Sequence, residues 1–387
     1  MHVLKDKNFL PALTINYLHS FLSSAMAILL PIYLLDKNIK IQEIGLIFAT
    51  LPFMMLFLRL VLASIADSIG TKLIFMIEGV ASILYLITYK FANSPSDFVL
   101  GKISEGTAVS SFWAVNRTQI AELDHKTEIS KIASFFVGLR SFGEFCGNFV
   151  TGLGIVYLGF SNMYLLLFGI GLVVLISTIL LKNNKNQNSE LKIRSIIKKI
   201  FVKKEISFWK NSLVLGLFGA VQTILVTFLL PVYFYAQIKL SPFEIGGFMS
   251  MIPLISALTI IVLLKLKATP NQMIILSALF SIPALFLYTT ASKDLMFAAT
   301  MLYSVAAGSM SIIYEMILIS ALDKKETFST DIGLLHIPIR LAETVILGVS
   351  GFLVVSLGYA TMFVIAGVFL ICYFFASLIV LRKHTSF

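Results

Sequence analysis

Ten ionisable side chains lie inside long apolar stretches of the sequence, where a charge is costly. The five basic ones are Arg59, Lys102, Arg117, Arg140 and Arg340, and the five acidic ones are Glu78, Glu105, Glu144, Glu315 and Glu343. A charge shielded from water requires a partner or a functional task. Such groups can neutralise one another, bind an ionic solute, or take up and release a proton.

Two of these charge pairs have the spacing of one helical turn. Arg140 with Glu144 (i, i+4) and Arg340 with Glu343 (i, i+3) would each lie on one face of a helix, where the arginine can neutralise its acid. One interpretation is a static salt bridge. The other is that protonation of Glu144 or Glu343 is coupled to a conformational change, and the sequence leaves both open.

The other charged residues have less obvious partners. Lys102 and Glu105 are one turn apart and can pair with each other. Glu315 has no basic residue within one helical turn, which makes it, with Glu105, a leading candidate for a solute-binding site. Arg59 and Glu78 lie at similar depth in consecutive apolar segments, and we expect them to form a structural ion pair.

The composition predicts an all-α integral membrane protein. Hydrophobic residues make up 58% of the 387 residues and charged residues only 13%, whereas soluble domains carry about 25% charged residues. Repeated apolar runs of about 20 residues are typical of membrane-spanning helices, and the alternation expected of barrel strands is absent. Twelve transmembrane helices are predicted, at 9–35, 43–64, 73–92, 97–121, 132–157, 162–181, 211–236, 244–264, 272–291, 295–320, 332–356 and 360–381.

The basic residues predict the orientation. Twenty Lys and Arg residues fall in loops on one side of the predicted spans, and only five fall on the other: Lys37, Lys40, Lys90, Lys239 and Lys293. Because cytoplasmic loops are enriched in Lys and Arg, both termini of this multi-pass chain are expected in the cytoplasm, with the spans in the cytoplasmic membrane. The net charge of +10 then faces anionic lipid, which makes membrane lipids a partner and disfavours nucleic acid.

The two halves of the chain resemble copies of each other. Five short motifs recur in order at offsets of 199 to 201 residues, among them Leu-Pro-Ile-Tyr at 30–33 and Leu-Pro-Val-Tyr at 230–233. Residues 1–181 and 211–387 are therefore predicted to form two pseudo-symmetric six-helix bundles. A basic cytoplasmic loop with an amphipathic segment, residues 182–210, is expected to join them. Repeats of this kind place a solute site between the halves near the membrane midplane.

The end of the second predicted span carries a recognisable loop. The run Ala63–Lys72, Ala-Ser-Ile-Ala-Asp-Ser-Ile-Gly-Thr-Lys, resembles the G-x-L-A-D-[RK]-x-G-[RK]-[RK] signature of the major facilitator superfamily. Asp67, Gly70 and Lys72 match, while Ser68 and Thr71 replace basic residues. Gly70 suits the positive φ of a short turn. The resemblance implies that Asp67 contributes to a lock on the inner gate. We expect this lock to be weaker here than in the family, because two of its basic residues are replaced.

The same resemblance implies which helices line the cavity: the first, fourth, seventh and tenth. Their polar residues become candidates for solute binding or proton coupling, namely His19, Lys102, Glu105, Asn116, Gln222 and Glu315. A second partial match, Gly143–Gly152, resembles an antiporter signature. Small residues at that spacing also permit close helix packing, so two interpretations remain.

These features together predict a secondary active transporter that moves a small amphipathic or organic solute by alternating access. Proton-coupled efflux is the favoured version. Uptake by symport or uniport is an alternative, as is a non-transporting membrane sensor or assembly protein with a transporter fold. No phosphate-binding loop, zinc motif or nucleophile elbow occurs, so no enzymatic activity, cofactor or metal site is expected. The expected partners are a small-molecule solute and protons, and the chain is expected to be monomeric.

Overall fold

The chain folds almost entirely into α-helices. The structure, a computed structural model, describes residues 6–123, 129–182, 204–322 and 328–382, and contains no β-strand in these ranges. The helices are α1 (Phe9–Asp36), α2 (Ile41–Ile69), α3 (Thr71–Phe91), α4 (Pro95–Glu122), α5 (Ile129–Leu180), α6 (Ile206–Gln222), a π-helical segment (Thr223–Leu229), α7 (Leu230–Ala236), α8 (Pro242–Lys265), α9 (Pro270–Thr289), α10 (Lys293–Ser320) and α11 (Phe328–Arg382).

Within the described ranges, nine helical segments are long and apolar enough to cross a membrane. The helix predicted at 97–121 is present as α4 but is not among the nine, because it carries several charges and many small polar residues. Its polar side chains Lys102, Glu105 and Asn116 are instead buried inside the bundle. A helix surrounded by other helices can span a membrane with fewer apolar residues than one that faces lipid.

The two longest helices, α5 and α11, each reverse direction at a glycine. Gly159 has φ 75° and Gly358 has φ 82°, a conformation that only glycine adopts readily. A β-carbon on Gly154 would lie 2.4 Å from the sulfur of Met163, although nine residues of straight helix span about 13.5 Å. The predicted fold class is confirmed, while the count of twelve membrane crossings stays a prediction.

The seventh predicted span, 211–236, contains a feature that the sequence analysis missed. Its middle, Thr223–Leu229, is a π-helix, and the Leu230 amide donates to the carbonyl of Leu225 five residues earlier. Pro231 follows directly, lacks an amide hydrogen, and would clash with the carbonyl four residues before it in an α-helix. The wider π turn accommodates this proline without ending the helix.

The internal repeat has a counterpart in backbone geometry. Asn38 and Lys239, in equivalent turns, have φ values of 58° and 61°, and the glycine turns at 159 and 358 also correspond. These pairs match the repeat predicted from the sequence. The domain boundaries at 181 and 211 stay predictions, and most of the predicted amphipathic segment within 182–210 lies outside the described residues.

The two ends of the bundle differ, and we name them by their turns. The Gly159 end includes the turns at 37–40, 237–241 and Gly358, and the opposite Gly70 end holds the turn between α2 and α3. At the Gly159 end the halves touch through backbone: added β-carbons on Gly351 and Gly152 would lie 2.2 Å from the Ile41 carbonyl and 2.7 Å from the Pro242 carbonyl. This end is therefore tightly closed.

The glycines of the Gly143–Gly152 run pack helices together. β-Carbons on Gly143 and Gly147 would lie 2.6 and 2.3 Å from carbonyl oxygens of Tyr17 and Phe21 on α1. Asn148, which directly follows Gly147, donates from Nδ2 to the Met249 carbonyl of α8 at 3.0 Å. Close packing accounts for these small residues, in line with the second interpretation of this run.

Candidate functional site

A cavity of about 180 Å³ lies between the two halves, towards the Gly70 end. Helices α2 and α4 of the N-terminal half form most of its wall, and the beginning of α11 supplies the rest. Its lining residues are Arg59, Ala63, Trp113, Ala114, Arg117, Thr118, Ala121, Ile332 and Gly333. The wall thus combines two guanidinium groups with an indole and several small apolar side chains.

Arg59 is the most unusual residue of this wall. Its side chain is buried, with 6% of the residue exposed, and it forms no ion pair or hydrogen bond with a described residue. The predicted ion pair between Arg59 and Glu78 is not formed, because the Glu78 carboxylate contacts His19 at 2.7 Å instead. Arg59 on α2 and Glu78 on α3 lie at similar depth, but their side chains do not point towards each other. A buried guanidinium without a partner is energetically costly.

Arg117 and Glu315 connect the two halves across the cavity. The Arg117 Nη2 on α4 donates to Glu315 Oε1 on α10 at 2.9 Å. Along the sequence Glu315 has no basic residue within one helical turn, which made it a leading candidate for solute binding, and Arg117 was not among the candidates. The prediction that Glu315 lacks a basic partner is wrong, because the partner comes from a different helix. Residue spacing within one helical turn could not have identified Arg117, because it lies 198 residues from Glu315 in the sequence.

We expect Glu315→Gln to have a small effect. Both side chains of this pair are partly exposed, at 34% and 48%, and such ion pairs contribute about 0.2–1 kcal/mol. Transport should therefore fall by at most about fivefold. Glu244→Gln is a matched control, since Glu244 forms an ion pair of 2.6 Å with Lys293 at the Gly159 end. A loss above about twentyfold for Glu315→Gln alone would restore Glu315 as a solute-binding residue.

The predicted pairing of Arg340 with Glu343 is confirmed. Arg340 Nη1 donates to Glu343 Oε2 at 2.5 Å, and the other carboxylate oxygen accepts a hydrogen bond of 3.0 Å from Thr223, the first residue of the π-helix. Arg340 Nε is buried without a hydrogen bond to a described residue. Both oxygens of the Glu343 carboxylate therefore accept a hydrogen bond, which favours the interpretation of this pair as a static salt bridge.

Arg140 and Glu144 behave differently from their counterparts. They share a helical face but form no ion pair within 4 Å, because the Arg140 guanidinium lies over the Trp113 ring, 5.4 Å from its centroid. Glu144 forms no hydrogen bond or ion pair with a described residue. The predicted neutralisation of Glu144 by Arg140 through direct contact is therefore wrong, and the proton-coupling role of Glu144 stays a prediction.

Lys102 and Glu105 form a closed unit remote from the cavity. Their side chains are 2.8 Å apart, and Tyr89 donates to Glu105 Oε2 at 2.6 Å. The Lys102 ammonium lies 4.4 Å from the centroid of the Phe48 ring. Fifteen residues of helix, about 22 Å, separate Lys102 from Arg117. The structure therefore does not bring Lys102 and Glu105 to the cavity.

The remaining polar candidates lie on both sides of the interface. Gln222 accepts a hydrogen bond from Tyr303, and Asn116 is fully buried without a hydrogen bond to a described residue. His336, which the sequence analysis did not select, accepts at Nε2 from Tyr314 at 3.0 Å while its Nδ1 donates to the Ile332 carbonyl. A lone histidine in an apolar segment gave no sequence signal of this arrangement.

The gate loop is described only in part. Gly70 has φ 92°, as the predicted turn requires. The side chain of Asp67 lies outside the described part of the chain, so its predicted contribution to the lock on the inner gate stays a prediction.

Comparison with known proteins agrees with this architecture. Residues 12–310 match the family model described as Major Facilitator Superfamily. A curated relative, "Putative transporter AmpG 1" of Rickettsia conorii, is 26% identical over 390 residues, covering 91% of each chain. Among solved structures, a mutant of the nucleoside transporter NupG has a TM-score of 0.75 at 15% identity, covering 97% of this chain and all of that one. The human organic anion transporter MFSD10 (TETRAN) has a TM-score of 0.69 at 14% identity, covering 95% of this chain and 99% of that one.

The family model covers more than half of the chain, and the structural matches cover nearly all of it. The low identity to the solved structures means that they show the fold alone. The apolar helices, the interface between two halves and the family match lead to one conclusion: the chain belongs to the Major Facilitator Superfamily and is a multi-pass membrane protein of that transporter family.

Proposed function

We propose that this protein is a secondary transporter whose cavity binds an organic anion with an apolar or aromatic part. The observation that carries the proposal is Arg59, a buried arginine in the cavity wall without an ion-pair partner among the described residues. An anionic group on the solute would supply the missing partner. Guanidinium groups are well suited to this role because they can donate two parallel hydrogen bonds to a carboxylate or phosphate.

The charge balance around the cavity supports a single negative charge on the bound solute. Arg117 is paired with Glu315 and Arg340 is paired with Glu343. Those two pairs are neutral, and Arg140 beside Trp113 is balanced in charge by Glu144 one turn away on α5, although the two do not touch. The charge of Arg59 is therefore left without an opposite charge. A monoanionic group would therefore neutralise the site, whereas a cation would add a second unpaired positive charge.

The rest of the wall supports an apolar part on the same solute. Trp113, Ala114 and Ile332 provide an aromatic and aliphatic surface beside the two arginines, and binding sites of this kind usually combine an apolar wall with few polar anchors. The name of the structurally similar organic anion transporter MFSD10 is consistent with this chemistry. The predicted preference for an amphipathic solute is retained and made more specific.

Direction and coupling follow from the sequence predictions. With both termini in the cytoplasm, the Gly70 end faces the cytoplasm, so the cavity is placed on the inner side and the closed Gly159 end on the outer side. Proton-coupled efflux remains the favoured version. Uptake of a nucleoside is the competing candidate, because NupG is a nucleoside transporter by its name. Monomeric state and absence of enzymatic activity stay predictions.

Trp113 offers a direct binding test, because the chain has only two tryptophans. In a Trp209→Phe background, the fluorescence of Trp113 reports on the cavity. Benzenesulfonate and benzenesulfonamide are a matched pair that differ in charge, and uridine represents the nucleosides. We expect quenching that saturates with benzenesulfonate, with at least tenfold weaker binding of benzenesulfonamide and uridine.

Transport is tested with the same compounds in proteoliposomes, by exchange of labelled benzenesulfonate against an unlabelled excess. Such exchange requires alternating access but no ion gradient. Equal binding of the charged and neutral compounds would contradict the anion proposal. Binding of benzenesulfonate without exchange would favour the sensor alternative, and exchange of uridine alone would favour the nucleoside candidate.

A further inference from the structure

A ladder of buried polar groups runs through the interior of the N-terminal half, on the far side of α4 from any solute bound at Arg59. Its upper layer is the contact between His19 Nδ1 and Glu78 Oε1 at 2.7 Å, with the His19 ring stacked on Phe112 at 3.7 Å between centroids. His19 is 7% exposed and Glu78 is fully buried. Because a carboxylate only accepts, Nδ1 carries the proton in this contact.

The middle layer lies one helical turn closer to the Gly70 end. Asn16 precedes His19 by three residues on α1, and Asn116 follows Phe112 by four residues on α4, which runs in the opposite direction. Both asparagines are therefore about 5 Å below the histidine, on the faces that carry His19 and Phe112.

The lower layer reaches the Gly70 end itself. Thr71, next to Gly70, donates to Gln119 Oε1 at 2.6 Å. Thr71 lies seven residues before Glu78 on α3, and Gln119 lies seven residues after Phe112 on α4. Both are therefore about 10.5 Å below the upper layer. The observed contact between them shows that α3 and α4 keep this register.

Many polar atoms of this ladder lack a hydrogen bond to a described residue. They are Glu78 Oε2, Asn16 Oδ1, both amide atoms of Asn116, and Gln119 Nε2. Buried polar groups in proteins almost always have a partner, and where the protein supplies none, an ordered water does. Layers about 5 Å apart match the separation of two polar groups bridged by one water molecule.

We propose that His19 and Glu78 form a proton-binding site, reached from the Gly70 end through water held by Gln119, Asn116 and Asn16. The proposal rests on the proposed transport function and adds to it the place where the coupling proton resides. It also separates that place from the solute cavity. A proton that enters by this route need not pass the bound solute.

Protonation changes the net charge of the His19–Glu78 pair, and this change can couple proton binding to a conformational change. With a neutral imidazole, the pair carries one negative charge, and binding one proton makes it neutral overall. A neutral pair is far less costly to bury than a charged one. The loaded pair is thus compatible with the closed interior seen here, while release of the proton favours a conformation that hydrates or compensates Glu78.

Other titratable groups near the pair are either distant or face elsewhere. Tyr85 lies two helical turns from Glu78 on α3, and Glu105, which is paired with Lys102, lies two turns from Phe112 on α4. Tyr17 on α1 faces Phe142 of α5 at 6.0 Å between ring centroids. Arg59 on α2 lines the cavity. His19 and Glu78 are therefore the two groups that exchange a proton within this layer.

Proteoliposomes with a lumenal pH dye test the proposal. Addition of benzenesulfonate to wild-type protein should cause a proton flux, and Glu78→Gln should reduce that flux at least tenfold while exchange of labelled benzenesulfonate stays within about threefold. Asn116→Leu, which changes no charge, should slow the proton flux similarly by interrupting the water path. Glu244→Gln, an acid-to-amide change at the Gly159 end, should leave both activities unchanged.

A proton flux of wild-type size in Glu78→Gln, or in Asn116→Leu, would overturn the proposal and shift attention to Glu144. Absence of exchange by the wild type would contradict the proposed function instead. If the wild type shows no exchange, the proton site can still be tested without solute. The measurement is the infrared difference spectrum of the purified full chain between pH 6 and pH 9. We expect Glu78→Gln and His19→Gln to remove the same protonation bands, because one proton is shared. Retention of those bands in both variants would equally overturn the proposal.

Discussion

Replacing Arg59 by methionine is expected to weaken benzenesulfonate binding by about 10- to 100-fold while leaving benzenesulfonamide binding within about twofold. A hydrogen bond to a charged group contributes about 1.5–3 kcal/mol, and every 1.4 kcal/mol is a factor of ten in affinity. Methionine keeps a similar length and apolar stem, so the shape of the cavity wall should change little. Arg59→Lys should retain part of the affinity, because lysine keeps the charge but not the planar donor pair.

The same substitution should raise the thermal unfolding midpoint in the absence of solute. Arg59 is 6% exposed and has no ion pair with a described residue, and replacing an uncompensated buried charge by an apolar side chain removes its desolvation cost. Weaker binding with higher stability is the usual trade-off at a functional site. Lys265→Met, at an exposed position at the end of α8, is the control and should change neither quantity.

A purely structural role for Arg59 predicts the opposite pattern. In that case Arg59→Met would lower the unfolding midpoint and weaken the charged and neutral compounds equally. Measuring both quantities on one purified variant therefore separates an anion-binding arginine from one that supports the fold.

Gly351→Val is expected to abolish transport by preventing closure of the Gly159 end. A β-carbon at this position would lie 2.2 Å from the Ile41 carbonyl oxygen and 2.6 Å from the Gln42 Cα. These are backbone atoms of another helix, so α2 and α11 must separate for a side chain to fit. Alternating access requires the contact at the Gly159 end to form and break once per cycle, and a transporter that cannot close this end cannot complete the cycle.

Labelling of a buried reporter measures this opening. Phe48 on α2 is 1% exposed and packs edge-to-face on Phe228 of the other half at 6.4 Å. In a background without the native thiols (Cys146→Ser, Cys372→Ser), Phe48→Cys should react slowly with a maleimide applied from the Gly159 side. We expect Gly351→Val to increase that rate at least tenfold.

Gly348→Val is a closely matched control on the same helix. Its added β-carbon would meet only the Ala49 side chain at 3.8 Å, an ordinary contact. Its labelling rate should match that of the parent protein. If the two valine variants label alike and both transport, the backbone contact at Gly351 does not control access at this end.

Those parts of the protein that depend on local spacing could be predicted from the sequence. Apolar runs determine which segments become helices, because a helix is the means by which a single segment satisfies its backbone hydrogen bonds in lipid. Lys102 with Glu105 and Arg340 with Glu343 pair as predicted, since residues three apart meet on any helix. The Gly70 turn and the equivalent turns at Gly159 and Gly358 likewise follow from residue type and repeat.

Spacing alone was insufficient for Arg140, although Glu144 is one turn away. The long arginine side chain can reach another helix, and Trp113 of α4 lies within its range. The π-helix before Pro231 was missed for a related reason. A proline in a predicted span indicates a distortion but not which hydrogen-bond pattern absorbs it.

Contacts between helices were decided by the tertiary structure. Arg117 meets Glu315, His19 meets Glu78, and Arg59 is left without an ion pair because the helix rotations turn it away from Glu78. Depth along a helix can be read from residue number, but facing direction depends on how each helix rotates and tilts against its neighbours. The sequence by itself determined the helices, the repeat and the set of buried charges. Only the packing of the helices decided which of those charges pair with one another and which, such as Arg59, have no ion pair with a described residue.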